Sequence, residues 1–220
     1  MKEPVLLVNF KVYNVASARK AVELAKKCEQ VKLETGKEIA AVVQAADIFR
    51  VSKEVENLKV FAQHVDEVES GAYTGHILIE DVQENGAAGT ILNHSENRIP
   101  VEKIEAVIKR CKQLGFPVVV CAKDSDEVEQ IAKLKPDYVA YEPPELIGGD
   151  ISVSTAKPEV IERSVRKAGD VPLIVGAGVK NTEDVKTSIK LGAVGILVAS
   201  GVVKAEDQLK ALKDLVKGFD

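Results

Sequence analysis

The sequence has no surplus of positive charge: 30 Lys and Arg stand against 34 Asp and Glu, a formal charge of −4 over 220 residues. Neutralising a nucleic-acid backbone takes a basic excess, so composition argues against that class of partner. Long apolar runs are also missing. The N-terminal run is only Pro4–Val8 before Asn9, too short for the core of a secretion signal. The most apolar stretch, Gly192 to Val203, falls short of the roughly 20 residues a bilayer requires and is broken by Ser200 and Gly201. No membrane association is expected. Cysteines are few and odd in number: Cys28, Cys111 and Cys121 stand at no metal-like spacing. Neither a disulfide framework nor a thiolate metal site follows, and a reducing cytoplasm fits. There is no Pro/Gly/Ser-rich linker and no break in composition, so residues 1–220 read as a single domain.

What the chain does contain is a repeat of short apolar runs and longer amphipathic segments. The runs are Pro4–Val8, Ile39–Val43, Val60–Gln63, Gly89–Leu92, Pro117–Val120, Tyr138–Ala140, Pro172–Val175 and Ile196–Val198. Their Val and Ile content is that of parallel strands buried on both faces. Between them lie helical patterns such as Ser17 to Glu34 and Val101 to Leu114, with Asp124-Ser125 and Ser154-Thr155 as caps and Gly115, Gly169 and Gly192 as stops. About eight strand–helix units with right-handed crossovers predict a closed α/β (βα)8 barrel, and a short one. Active sites in such barrels lie at the C-terminal ends of the strands, which directs attention to the residues after each run.

Those residues are Asn9-Phe10-Lys11, then Asn93-His94-Ser95-Glu96-Asn97-Arg98, then Tyr141-Glu142-Pro143 running on to Asp150, then Gly176-Ala177-Gly178 and Ala199-Ser200-Gly201. A lysine offers charge to an anionic substrate, and a histidine and a carboxylate can move protons. Small residues let backbone N–H groups approach a phosphate.

With Gly71-Ala72-Tyr73-Thr74-Gly75 and Gly148 added, these motifs stand in the order and spacing of one family. Across its whole length the chain resembles the triosephosphate isomerases, most closely their shortened archaeal form. The resemblance implies a TIM barrel and the interconversion of dihydroxyacetone phosphate and D-glyceraldehyde 3-phosphate, a step of glycolysis and gluconeogenesis, without metal or organic cofactor. It implies that Glu142 is the catalytic base and that His94 polarises the carbonyl and shuttles protons. It implies too that Lys11 draws in the phosphate and stabilises the enediolate. In that family a helix N-terminus keeps the histidine neutral, and Ser95-Glu96 before Pro100 reads as a short helical turn able to do this. Asn9, Lys11, Ile147, Gly148, Gly178, Ala199 and Ser200 would bind substrate, the last four through main-chain N–H groups at the phosphate. Glu96 would be the buried carboxylate that holds Lys11. Thr74 would sit on a segment projecting into a neighbouring subunit, in a homotetramer or else a dimer.

Several positions depart from the family pattern: Phe10 and Glu145 replace tryptophans, Gly149-Asp150 replaces a Thr-Gly pair, Gly178 replaces a common serine and Asn97 replaces an arginine. Asp150 is expected to point away from the phosphate. Two other readings remain: another phosphate-binding barrel of sugar-phosphate or amino-acid metabolism, and a non-catalytic metabolite sensor. The pairing of His94-Ser95-Glu96 with Tyr141-Glu142-Pro143 stands against the first, and intact Lys11, His94 and Glu142 stand against the second.

Overall fold

The computed structural model describes residues 1, 3–143 and 158–220. Eight parallel strands close into a barrel in sequence order: β1 Val5–Asn9, β2 Glu38–Val43, β3 Lys59–Ala62, β4 Thr90–Leu92, β5 Val118–Ala122, β6 Tyr138–Tyr141, β7 Leu173–Val175 and β8 Gly195–Val198. Closure is made by β1 against β8, where Val5 to Val8 pair with Gly195 to Val198. The (βα)8 expectation is therefore met. Strand ends differ from the apolar runs by a residue or two because ladder pairing extends into polar positions, as at Glu38 and Asn9. Gln63 lies just beyond its strand.

Helices α1 Arg19–Thr35, α2 Ala45–Ser52, α3 Ile79–Glu84, α4 Val101–Leu114, α5 Ser125–Lys133, α6 Pro158–Ala168, α7 Thr182–Lys190, α8 Ser200–Val203 and α9 Gln208–Val216 are those of the described residues. α1 buries Ala21, Leu24, Ala25, Cys28 and Val31, one stripe at helical spacing. It starts two residues later than Ser17, because Ala18 takes a φ of 55° and donates its N–H to the Asp47 carboxylate at 3.0 Å. Asp124 caps α5 as expected, accepting from the N–H groups of Asp126 and Glu127. Gly115 ends α4 at φ 62°, a left-handed cap that favours glycine. The Ser154-Thr155 cap lies outside the described residues. No helix among those described is long and apolar enough to cross a membrane.

Two apolar layers follow from the two-residue period of a strand. One set, including Leu6, Val8, Ile39, Ala41 and Val120, packs outward against the helices. The other fills the barrel and includes Val5, Leu7, Ala40, Val42, Phe61, Ile91, Val119, Cys121, Ala140, Ile174 and Leu197. Continuing the inward series by one step at the C-terminal rim gives Asn9, Gln44, Gln63, Asn93, Lys123, Glu142, Gly176 and Ala199. The polar rim is thus the last layer of the same alternation that builds the core. All three cysteines are free and buried. Burial pushes the Cys28 and Cys111 thiols up to about 12.

Candidate active site

At the C-terminal rim lies a cavity open to one side and lined from β1, β4, β6, β7 and β8 and the turns after them. Of the positions expected at the site, Asn9, Lys11, His94, Glu142, Gly178, Ala199 and Ser200 all line it. Ile147, Gly148, Glu145, Gly149 and Asp150 lie outside the described residues.

Glu142 follows β6 directly, and its amide N–H donates to the Ala122 carbonyl at 2.9 Å, fixing the chain where the side chain turns inward. It is 6% exposed. Its Oε2 is buried without a hydrogen-bond partner, 3.6 Å from His94 Nε2. An unpartnered carboxylate oxygen is costly to bury, and such a group at a cavity is poised to act on whatever enters it. Beneath it, burial holds the Cys121 thiol well above its ordinary pKa, and the Glu142 carboxylate adds to the shift. Behind it stands Gly176, where a Cβ would lie 2.5 Å from Glu142 Cγ.

His94 is held by its own loop. The Glu96 N–H donates to His94 Nδ1 at 3.2 Å, so Nδ1 is the acceptor and the ring's proton sits on Nε2, toward Glu142. The Glu96 carboxylate, 3.6 Å from Nδ1, would favour the opposite tautomer. Its other oxygen is bound by Lys11 at 2.7 Å, and the directed N–H bond decides. The expected helical turn after the histidine is instead a hydrogen-bonded turn closed by Asn97 N–H to the His94 carbonyl, 2.8 Å. Pro100 explains this: it disfavours helical geometry at Ile99, so the helix begins only at Val101. One aimed amide takes the place of a helix terminus.

The loop is stapled by Asn93, which has a φ of 60°. Its side chain donates to the Cys121 carbonyl and accepts from the Ile99 N–H, at 3.0 and 3.1 Å. Arg98 donates to the Asn93 carbonyl and also binds Glu127.

Lys11 has a φ of 49°, a conformation costly for a side-chain-bearing residue. Asn9 Oδ1 accepts from the Lys11 N–H (3.0 Å) and from Gln63 Nε2 (3.3 Å), and Gln63 also donates to the Lys11 carbonyl at 3.0 Å. These bonds fix the strained turn and leave Asn9 Nδ2 as a donor for the cavity. Lys11 meets Glu96 as expected, but Glu96 is not buried: its side chain is 59% exposed against 10% for Lys11. In the single chain the carboxylate stands at the edge of a side recess lined by Gln63, His64 and Asn97. Thr74 is fully on the surface, in an exposed loop where Tyr73 packs edge-on against His76.

Across the cavity, Ala177 and Gly178 turn the chain after β7 with φ of 71° and 73°. Opposite them α8 starts at Ser200, whose N–H and that of Gly201 have no intrahelical acceptor. Sequence reasoning named Asn93 and Gly176 at the strand ends without giving either a role, and passed over Gln63 and Tyr13 as site residues. The inward alternation of the strands would have found Gln63; Tyr13 lies beyond any strand pattern.

A buried carboxylate facing an imidazole N–H, with a lysine beside them and small-residue turns opposite, defines a (βα)8-barrel enzyme built for proton transfer on a small anionic substrate. The triosephosphate isomerase family model matches residues 4–217. Triosephosphate isomerase of Saccharolobus solfataricus is 46% identical over 219 residues, covering 98% of this chain and 96% of that one. Triosephosphate isomerase of Methanosarcina acetivorans is 44% identical over 221 residues, with 99% of each chain covered. The crystal structure of triosephosphate isomerase from Bartonella henselae shares the fold at a TM-score of 0.77 with 19% identity, over 97% of this chain and 99% of that one. The chain belongs to the triosephosphate isomerase family, in its archaeal-like form.

Proposed function

We propose that Glu142, His94 and Lys11 carry out the reaction of this family, the interconversion of dihydroxyacetone phosphate and D-glyceraldehyde 3-phosphate. The observation that supports these roles most directly is the unpartnered Glu142 oxygen 3.6 Å from His94 Nε2 in one cavity. Glu142 takes a proton from the carbon beside the carbonyl and returns it to the neighbouring carbon. The Nε2–H of His94 polarises the carbonyl and passes protons between the two enediolate oxygens. Lys11, with Asn9 Nδ2, stabilises the negative charge that develops there. The main-chain N–H groups at Gly178, Ala199 and Ser200 receive the phosphate, with Ile147 and Gly148 completing the grip. The test is a coupled assay of the purified chain with D-glyceraldehyde 3-phosphate and no added metal, alongside inhibition by inorganic phosphate. Turnover with competitive inhibition is expected; phosphate binding without turnover would leave a sensor.

The same proposal includes self-association in the cytoplasm. Glu96 is exposed where the family pattern has a buried carboxylate. Val12, beside it in the recess, is 71% exposed. A second copy presenting its Thr74 loop would cover both. A homotetramer is proposed over a dimer; sedimentation at micromolar concentration checks it, and a monomer that turns over at full rate would rule it out.

A further inference from the structure

Tyr13 is the one described residue shared by the active-site cavity and an outer groove formed with Asn14, Val15, Val203, Lys204 and Gln208. Its ring is therefore the partition between the site and solvent on this side. On the groove side the Lys204 ammonium lies 4.3 Å from the ring centroid, within reach of a cation–π contact. No carboxylate pairs with Lys204 among the described residues, so its charge is not cancelled by a salt bridge.

Both halves of this contact are fixed by the backbone. The Tyr13 carbonyl accepts from the Ala16 N–H at 2.8 Å and from the Ser17 hydroxyl at 3.0 Å. The Ser17 hydroxyl is in turn held by Gln44 Nε2 at 3.0 Å. Lys204 ends α8, the helix whose first residue, Ser200, stands at the rim. The Val203 carbonyl just before it accepts from Gln208 Nε2 at 2.9 Å, and Gln208 Oε1 accepts from Lys27. The contact thus joins the turn that carries Lys11 to the helix that begins at Ser200.

We propose that Tyr13, held by Lys204, is a positioning residue that walls the phosphate end of the site. The ring fixes the distance between the Lys11 turn and the Ser200 rim and keeps water from the anion. This rests on the reading that Gly178, Ala199 and Ser200 receive the phosphate. Lys204 acts through the ring rather than by touching substrate.

Four variants test the proposal: Tyr13→Leu, Tyr13→Phe, Lys204→Gln and Lys204→Arg, with KM, kcat and the inhibition constant for inorganic phosphate measured for each. Tyr13→Leu and Lys204→Gln are expected to raise KM and the phosphate inhibition constant about two- to fivefold with kcat nearly unchanged, the signature of lost uniform binding. Tyr13→Phe and Lys204→Arg, which keep the ring and the charge, are expected to restore both values. The double variant Tyr13→Leu/Lys204→Gln is expected to be no worse than Tyr13→Leu, because the two residues act as one unit. Additive losses, or a Tyr13→Leu variant with both constants unchanged, would overturn the wall. Unmutated protein that turns over without phosphate inhibition would overturn the phosphate reading, and the wall with it.

Discussion

Replacing Glu142 by Gln is expected to lower turnover by at least about 10²–10⁴-fold, the usual contribution of a positioned general base. Gln keeps the shape of the side chain, so the packing against Gly176 is retained. Its amide oxygen can still face the Nε2–H of His94, the role that Glu142 Oε2 holds at 3.6 Å. What is lost is the ability to accept a proton from carbon. Inhibition by inorganic phosphate should stay within about twofold of the unmutated protein, because the rim residues are untouched. Stability should not fall. A buried carboxylate oxygen without a hydrogen-bond partner is a cost to the fold, and removing the charge relieves it. Thermal unfolding of the variant is therefore expected at the same temperature or higher. Near-normal turnover, or a fold weakened as much as the activity, would remove Glu142 from the role of base.

The barrel was legible because its strands are buried on both faces and read as continuous Val/Ile runs, while the helices read at their own period. The strand ends blurred where pairing continued through polar residues such as Asn9 and Glu38, which no apolar pattern marks. Within the site, Lys11, His94 and Glu142 stood out as the charged or titratable residues next to the runs. Gln63 was hidden because it reads as the last residue of its strand, although its amide holds both Asn9 and Lys11. Glu96 is exposed in the single chain, since its burial depends on what covers the recess and not on local sequence. The short helical turn expected after His94 is one hydrogen-bonded turn and goes no further for a local reason that was in view: Pro100 restrains Ile99, and the turn closes before it. Contacts between distant segments, such as Tyr13 with Lys204, leave no periodic trace.

Gly176→Ala is expected to cost about 10²-fold in kcat, the scale of an ångström's misplacement of a catalytic group. The backbone at Gly176 is not in the left-handed region, so alanine is accepted without strain there. The obstacle is the side chain it adds: the new Cβ would lie 2.5 Å from Glu142 Cγ and 2.7 Å from Oε1. Cγ is not a free end, because the backbone of Glu142 is fixed by its bond to the Ala122 carbonyl. Relief must come from rotating the carboxylate into the cavity, away from the position it holds against His94. KM should change little, since the clash displaces the carboxylate and not the main-chain N–H groups at the rim, and the loss should appear in kcat. Truncating the acid separates this steric account from a general loss of structure. Glu142→Ala removes Cγ and the carboxylate together, and Gly176→Ala added to it should cost far less than Gly176→Ala costs alone, because the displaced atoms are no longer there. If the two losses multiplied in full, Gly176 would act through something other than the seat of Glu142.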